Sequence, residues 1–173
     1  MTINCKGELI DFSTPKVMGV LNITPDSFYD GGRYTNDKEL LNQTEKMLTE
    51  GATFIDVGAY SSKPGATHIS EDEELKRIIP AITAILKKFP KTIISIDTFR
   101  SNIAKETIAN GAALINDISG GTLDEKMFET IAMLQVPYIL MHIKGTPQNM
   151  QKNPTYENIT TELISFFANQ IFK

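Results

Sequence analysis

The stretch TFIDVGAYSSKPGATHISEDEELKRIIPAITAILKKFPKTIISID, Thr53 to Asp97, holds one complete structural repeat. It opens with an apolar run, Thr53 to Val57, which is too short for a helix and continuous enough to be buried on both faces of a sheet. A Gly-, Ser- and Pro-containing loop follows. Then Leu75, Ile78, Ile79, Ile82, Ile85, Leu86 and Phe89 fall on one 3.6-residue stripe, the pattern of a helix with a single buried face. Ser70 and Glu73 precede the stripe as a capping box. Pro80 sits inside it and lacks an N–H, which predicts a bend rather than an end because the stripe runs on through it. A second apolar run, Ile93 to Ile96, closes the stretch. Strand, helix and strand in that order make a unit whose two strands run parallel.

The same format extends in both directions. Apolar runs at Val17 to Leu21, Ala113 to Ile115 and Tyr138 to Met141 complete a set of five strand–helix units, with Gly51 and Gly111 placed to end helices. Ile159, Leu163, Phe166, Phe167 and Ile171 mark a last helix that runs into the C-terminus, and the alternation from Ile3 to Phe12 predicts a small β-hairpin. The expected organisation is therefore a hairpin over residues 1–15 and five βα units over residues 16–173. Such units build either an open doubly wound sheet or a closed barrel. Polar residues follow almost every strand: Asn22, the segment from Gly58 to Ser62, Asp97, Asn116 with Asp117, and His142 with Lys144. A barrel gathers all its strand ends at one mouth, so this pattern favours an α/β fold of the (β/α)8 TIM-barrel class. A complete barrel takes about 200 residues or more. With 173 residues the expectation is an incomplete barrel, about its first five units.

Charge and composition narrow the function. There are 17 basic against 21 acidic residues, a formal net charge of -4, and 41% of the chain is hydrophobic. Without a basic cluster, nucleic acid is not an expected partner. The lone Cys5 cannot form an internal disulfide, the N-terminus lacks the layout of a secretion signal, and no apolar run reaches the roughly 20 residues of a membrane span. No membrane partner and a cytoplasmic location are the resulting expectations.

Three segments carry candidate chemistry. Asn22-Ile23-Thr24-Pro25-Asp26-Ser27-Phe28-Tyr29-Asp30-Gly31-Gly32 follows the first strand, and by residue chemistry alone it is a turn in which Asp or Ser caps a short helix. Gly58-Ala59-Tyr60-Ser61-Ser62-Lys63-Pro64-Gly65-Ala66 reads on its own as a flexible connection. Asp97 and Asn116 end the third and fourth strands, where each is equally suited to cap a helix or to face a ligand. Met141 is either core or a polarizable thioether laid against a flat ring. His142 has no second His or Cys at ligand spacing and His68 lies in another loop, so a zinc site is not expected.

The first of these loops resembles the first signature of the dihydropteroate synthase family, Asn, an aliphatic residue, Thr-Pro-Asp-Ser-Phe and then Gly-Gly, nearly residue for residue. The second is similar to that family's second signature, commonly Gly-Gly-Glu-Ser-Thr-Arg-Pro-Gly, with Tyr60 for the acidic residue, Ser62 for Thr and Lys63 for Arg. Ser62 keeps the hydroxyl. Lys63 keeps a positive charge but loses the planar fork that grips phosphate oxygens in pairs. The segments around Asp97, Asn116 and Met141 match in order as well, so the resemblance covers essentially the whole chain.

That resemblance implies a (β/α)8 barrel that joins p-aminobenzoate to 6-hydroxymethyl-7,8-dihydropterin diphosphate, releasing pyrophosphate and forming 7,8-dihydropteroate for folate, at the site targeted by sulfonamides. It implies Mg2+ held partly through Asn22, pterin contacts from Asp97, Asn116 and Met141, and an aminobenzoate pocket shaped by Phe28, Ser61, Ser62 and Pro64. Asp97, Lys63 and Asp30 are the candidates for catalytic roles, and the family is typically a homodimer. Its later Asp-Pro-Gly segment, lysine and Arg-x-His have no counterpart in this sequence, so the 173-residue chain is expected to be inactive or nearly so. A short pterin-binding module without catalysis and a methyltetrahydrofolate:corrinoid methyltransferase are the alternatives. Against the latter stand the two loops, whose family roles concern pyrophosphate and aminobenzoate.

Overall fold

A computed structural model describes residues 1–23, 33–60, 68–147 and 149–173, with residues 33–36 described by backbone alone. The chain begins with an antiparallel hairpin of β1 (Thr2–Cys5) and β2 (Glu8–Asp11). Its turn places Gly7 at φ +88°, and the Gly7 N–H donates to the Asn4 side chain. The parallel strands follow as β3 (Val17–Asn22), β4 (Ala52–Gly58), β5 (Ile93–Asp97), β6 (Leu114–Asp117) and β7 (Tyr138–Leu140). Helices α1 (Arg33–Thr49), α2 (Glu71–Lys88), α3 (Ser101–Ala109) and α4 (Met127–Leu134) connect them, and α5 (Ile159–Ile171) comes after β7.

The strand order is β3-β4-β5-β6-β7, each pair parallel. A doubly wound sheet reverses its order at a switch point, whereas successive right-handed crossovers stepping one way put every helix on one face. The sequential order is that of a partial barrel. On the helix side Leu21, Val57, Ile96 and Ile115 stand in register and pack with Ile78, Ile82, Ile85 and Ile103 from α2 and α3. Burying an Ile or Leu of this kind contributes about 1.5–3 kcal/mol.

The opposite face holds a second cluster. Phe54, Ile93 and Leu114 pack with Cys5 and Ile10 of the hairpin, the Phe12 and Phe54 rings stack at 6.2 Å, and Lys6 Nζ donates to the Gly111 carbonyl at 2.9 Å. The hairpin thus covers the N-terminal end of this face and leaves the carboxyl ends of the strands open.

Gly51 and Gly111 lie just past α1 and α3 at φ +101° and +106°, a region costly for a residue with a Cβ. Ser70 accepts from the Glu73 N–H at 3.2 Å. The reciprocal half of the expected capping box is not made, because the Glu73 carboxylate pairs instead with Arg77 one turn on, at 2.8 Å. α2 continues unbroken past Pro80. The strand-end residues Asn22, Gly58, Asp97, Asn116 and Asp117 belong to the strands themselves, while Met141 falls just outside β7.

Candidate active site at the carboxyl ends of the strands

The last lateral row that crosses all five strands of the parallel sheet is Asn22, Gly58, Asp97, Asn116 and Ile139, each in register with the next. In-register residues of a parallel sheet share a face, so sequence-remote polar groups are gathered by pairing alone. Gly58 has no side chain to fill the gap between its neighbours. A Cβ there would stand 3.2 Å from Asp97 Oδ2 and 3.3 Å from Asn22 Oδ1, so the two side chains converge over it.

Asp97 is partly buried and has no hydrogen bond or ion pair to it among the described residues. Burial, and after it the charges of Asp56, Glu74 and Asp117, push its pKa up to about 7. A Gly58→Ala methyl would desolvate this carboxyl further. We expect a 13C titration of the Asp97 carboxyl in that variant to move its midpoint above that of the parent chain, and an unmoved midpoint would mean the carboxylate does not lie over Gly58.

Neither Asp97 nor Asn116 caps a helix, the alternative their residue chemistry allowed. The first N–H of α3, on Ser101, is met by Asp124 Oδ2 at 2.7 Å. The Asn116 amide turns instead to Asp56, with Nδ2 donating to Oδ2 at 2.9 Å. Asp56 lies one layer deeper, in register with Ser95, and is only 4% exposed. Burial raises its pKa, and the Ser95 hydroxyl and then the bond from Asn116 oppose that shift. Sequence reading passed over Asp56, although a carboxylate inside the apolar run of a strand buried on both faces was the available signal.

Two further networks hold the strand ends. Asp117 is fully buried and accepts from the Ser119 and Gly121 N–H groups at 2.7 and 2.9 Å and from the Tyr138 hydroxyl. That ties the turn after β6 to β7. Burial first, then the bond and charge of Asp117, drive the Tyr138 pKa upward. Glu74, 0% exposed in the first turn of α2, pairs with Arg100 Nη1 at 2.6 Å and accepts from the Thr98 hydroxyl at 3.0 Å. Arg100 Nη2 donates to the Ile69 carbonyl at 2.7 Å. Its guanidinium lies 5.1 Å from the ring of Tyr60, whose hydroxyl meets His68 Nδ1 at 3.1 Å. Tyr60 within the second signature and His68 and Ile69 just beyond it are thereby fastened to the segment that follows Asp97.

Of the residues expected at the site, the structure gathers Asn22, Asp97 and Asn116 in one row. Met141 lies two residues beyond Ile139, 40% exposed, with its N–H on the Asp117 carbonyl. Phe28, Asp30, Ser61, Ser62, Lys63 and Pro64 lie outside the described residues. His142 stacks edge-on with Phe166 at 4.8 Å.

Comparison with known proteins follows the same outline. A family model described as pterin binding enzyme matches residues 18–172. A folic acid synthesis protein of Pneumocystis carinii is 46% identical over 91% of this chain, which spans 23% of that protein. The dihydropteroate synthase of Haemophilus influenzae is 40% identical over 96% of the chain, corresponding to 60% of its own length. Among solved structures, the dihydropteroate synthase of Yersinia pestis in complex with a sulfonamide drug superposes with a TM-score of 0.87 at 40% identity, covering 99% of this chain and 61% of that one. The Xanthomonas albilineans dihydropteroate synthase with 4-aminobenzoic acid gives a TM-score of 0.86 at 33% identity, with 99% and 60% covered. The chain thus spans about 60% of the bacterial relatives and less of the fungal one.

Proposed function

The chain belongs to the pterin binding enzyme family, and on that premise we propose that it carries the pterin-binding part of a dihydropteroate synthase, which joins p-aminobenzoate to 6-hydroxymethyl-7,8-dihydropterin diphosphate with loss of pyrophosphate. The observation that carries this reading is the lateral row that holds Asn22, Asp97 and Asn116, with Asn22 and Asp97 converging over Gly58 and Asn116 next to Asp97.

The reaction breaks a CH2–O bond to diphosphate and forms a C–N bond to the aryl amine. The methylene becomes electron-poor as pyrophosphate leaves. An Asp97 carboxylate accepts N–H bonds from the pterin, holds the ring in place, and sets negative charge near the developing positive charge. Asn116 fixes the ring's in-plane orientation, and Met141 lies against its face. The aryl amine is neutral, so aligning it matters more than removing a proton from it first. The family resemblance assigns that pocket to Phe28, Ser61, Ser62 and Pro64 and catalytic roles to Lys63 and Asp30, of which the Lys63 cation suits the anionic diphosphate.

Mg2+ is the proposed metal. Asn22 offers one neutral oxygen at the end of β3, its Oδ1 lying 3.3 Å from the place a Cβ on Gly58 would take. Mg2+ keeps several waters and takes one or two protein oxygens together with substrate phosphates, so this donor set fits it without a cluster of acidic ligands. When bound it supplies charge neutralisation for the departing diphosphate. The described residues contain no helix long and apolar enough to cross a membrane.

Calorimetric titration of the 173-residue chain with the pterin diphosphate and Mg2+ tests the reading. Binding is expected, weakened about tenfold or more by Asp97→Ala, the size of one charged hydrogen bond lost, and no binding by the parent chain would overturn it. In a pyrophosphate-release assay with p-aminobenzoate we expect no appreciable turnover. Turnover abolished by Asn22→Ala would show instead that five units suffice.

A further inference from the structure

From one layer beneath the site row, Asp56 of β4 reaches Asn116 of β6, a member of that row, across the strand between them. Asn116 Nδ2 donates to Asp56 Oδ2 at 2.9 Å, and β5 separates the two strands. The two ends of a carboxamide have nearly the same shape, so packing does not distinguish its two orientations. An ionised carboxylate does, because it only accepts: the nitrogen must face Asp56 and the carbonyl oxygen must face away from it.

Asp56 contributes little to the core in which it sits. It is 4% exposed, and its Oδ1 and the hydroxyl of its register partner Ser95 are both buried without a well-formed hydrogen bond, the hydroxyl lying only near enough to favour the ionised carboxylate. A half-bonded buried carboxylate costs stability, and an aliphatic side chain would suit this layer better. Its clearest consequence is the orientation it forces on the amide above it.

We propose that Asp56 is a positioning residue that keeps the Asn116 carbonyl oxygen turned toward the open end of the sheet, so that Asp97 and Asn116 together present acceptors to a ligand edge made of neighbouring N–H donors. This rests on the pterin reading above and deepens it. A ring with bare acceptor nitrogens along that edge is rejected, because acceptor then meets acceptor and both lose their partners. Asp56 reaches no reacting atom in this scheme and acts through Asn116.

The test compares the parent chain with Asp56→Asn and Asp56→Val, using solvent exchange of the Asn116 side-chain NH2 by 15N NMR and calorimetric affinity for the pterin diphosphate. Asp56→Asn keeps one acceptor oxygen. It should leave exchange and affinity within about threefold of the parent, whereas Asp56→Val should speed exchange and weaken binding about tenfold or more while the melting temperature holds or rises. A purely structural role predicts the reverse, a lower melting temperature with unchanged affinity, and would overturn the proposal. If the parent binds no pterin, the functional reading fails, and the NH2 exchange alone then decides whether Asp56 orients the amide: exchange unchanged in Asp56→Val refutes it. Should Asp56→Val not fold, Asp56→Ser, whose hydroxyl is too short to reach Asn116, replaces it under the same expectations.

Discussion

Asp97→Asn should make the chain more stable at pH 8, by up to about 4 kcal/mol, and change its stability little at pH 4. The ordinary Asp value is 3.8 and the folded one is about 7. Three pKa units at about 1.4 kcal/mol each give the upper figure. The sign follows from proton counting. Between those two values the folded chain holds a proton that the unfolded chain has released, so stability falls as pH rises from about 4 to about 7 and stays low above that. Asparagine never ionises and escapes the penalty. Chemical denaturation of both chains at pH 4 and pH 8 measures it, and a difference that does not grow with pH would sink the explanation. The same replacement should weaken pterin binding about tenfold or more, since the carboxylate that is costly to the fold is the group that accepts from the ligand.

Arg100→Met should have the opposite effect, a loss of about 3–5 kcal/mol at pH 8. Glu74 is 0% exposed and Arg100 7%. Removing the guanidinium strands a carboxylate that burial already pushes toward its protonated form, with Arg100 the leading opposing influence. Glu74 then takes up a proton, so the damage should be smaller at pH 5 than at pH 8. The double variant Glu74→Leu/Arg100→Met should regain most of the loss, because two apolar groups replace two charges. Melting curves of the single and double variants decide this. A double variant as unstable as the single one would show that the ion pair was not the source of the cost.

How much of this was legible in the sequence depends on the range of the physics involved. The apolar runs at Thr53 to Val57 and Ile93 to Ile96 and the stripe through Ile78, Ile82 and Ile85 identified strands and helix because burial imposes a period on neighbouring residues. Asn22, Asp97 and Asn116 stood out as polar residues ending apolar runs. Asp56 escaped notice because a continuous run with no alternation says nothing about which face a residue takes. Glu74 was equally hidden among the acidic residues that open α2, although it lies one turn before Ile78 on the buried stripe. Its partner Arg100 is 26 positions away, and no local pattern links them. Glu73 looked like the second half of a capping box, and competition from Arg77 one turn later drew it off.

By itself, then, the sequence determined the order of elements, the turns that end them and the side chains that crown the strands. Those depend on backbone preference and burial period, which act over a few residues. The tertiary structure decided that the strands lie in sequential order, that Asn22, Gly58, Asp97 and Asn116 share one row, that Asn116 points its nitrogen at Asp56, and that burial and neighbouring charges push the Asp97 pKa up to about 7. Desolvation, Coulomb repulsion and hydrogen bonding depend on distance through space, and only the folded chain brings Asp56, Glu74 and Asp117 close enough to Asp97 for their charges to act on it.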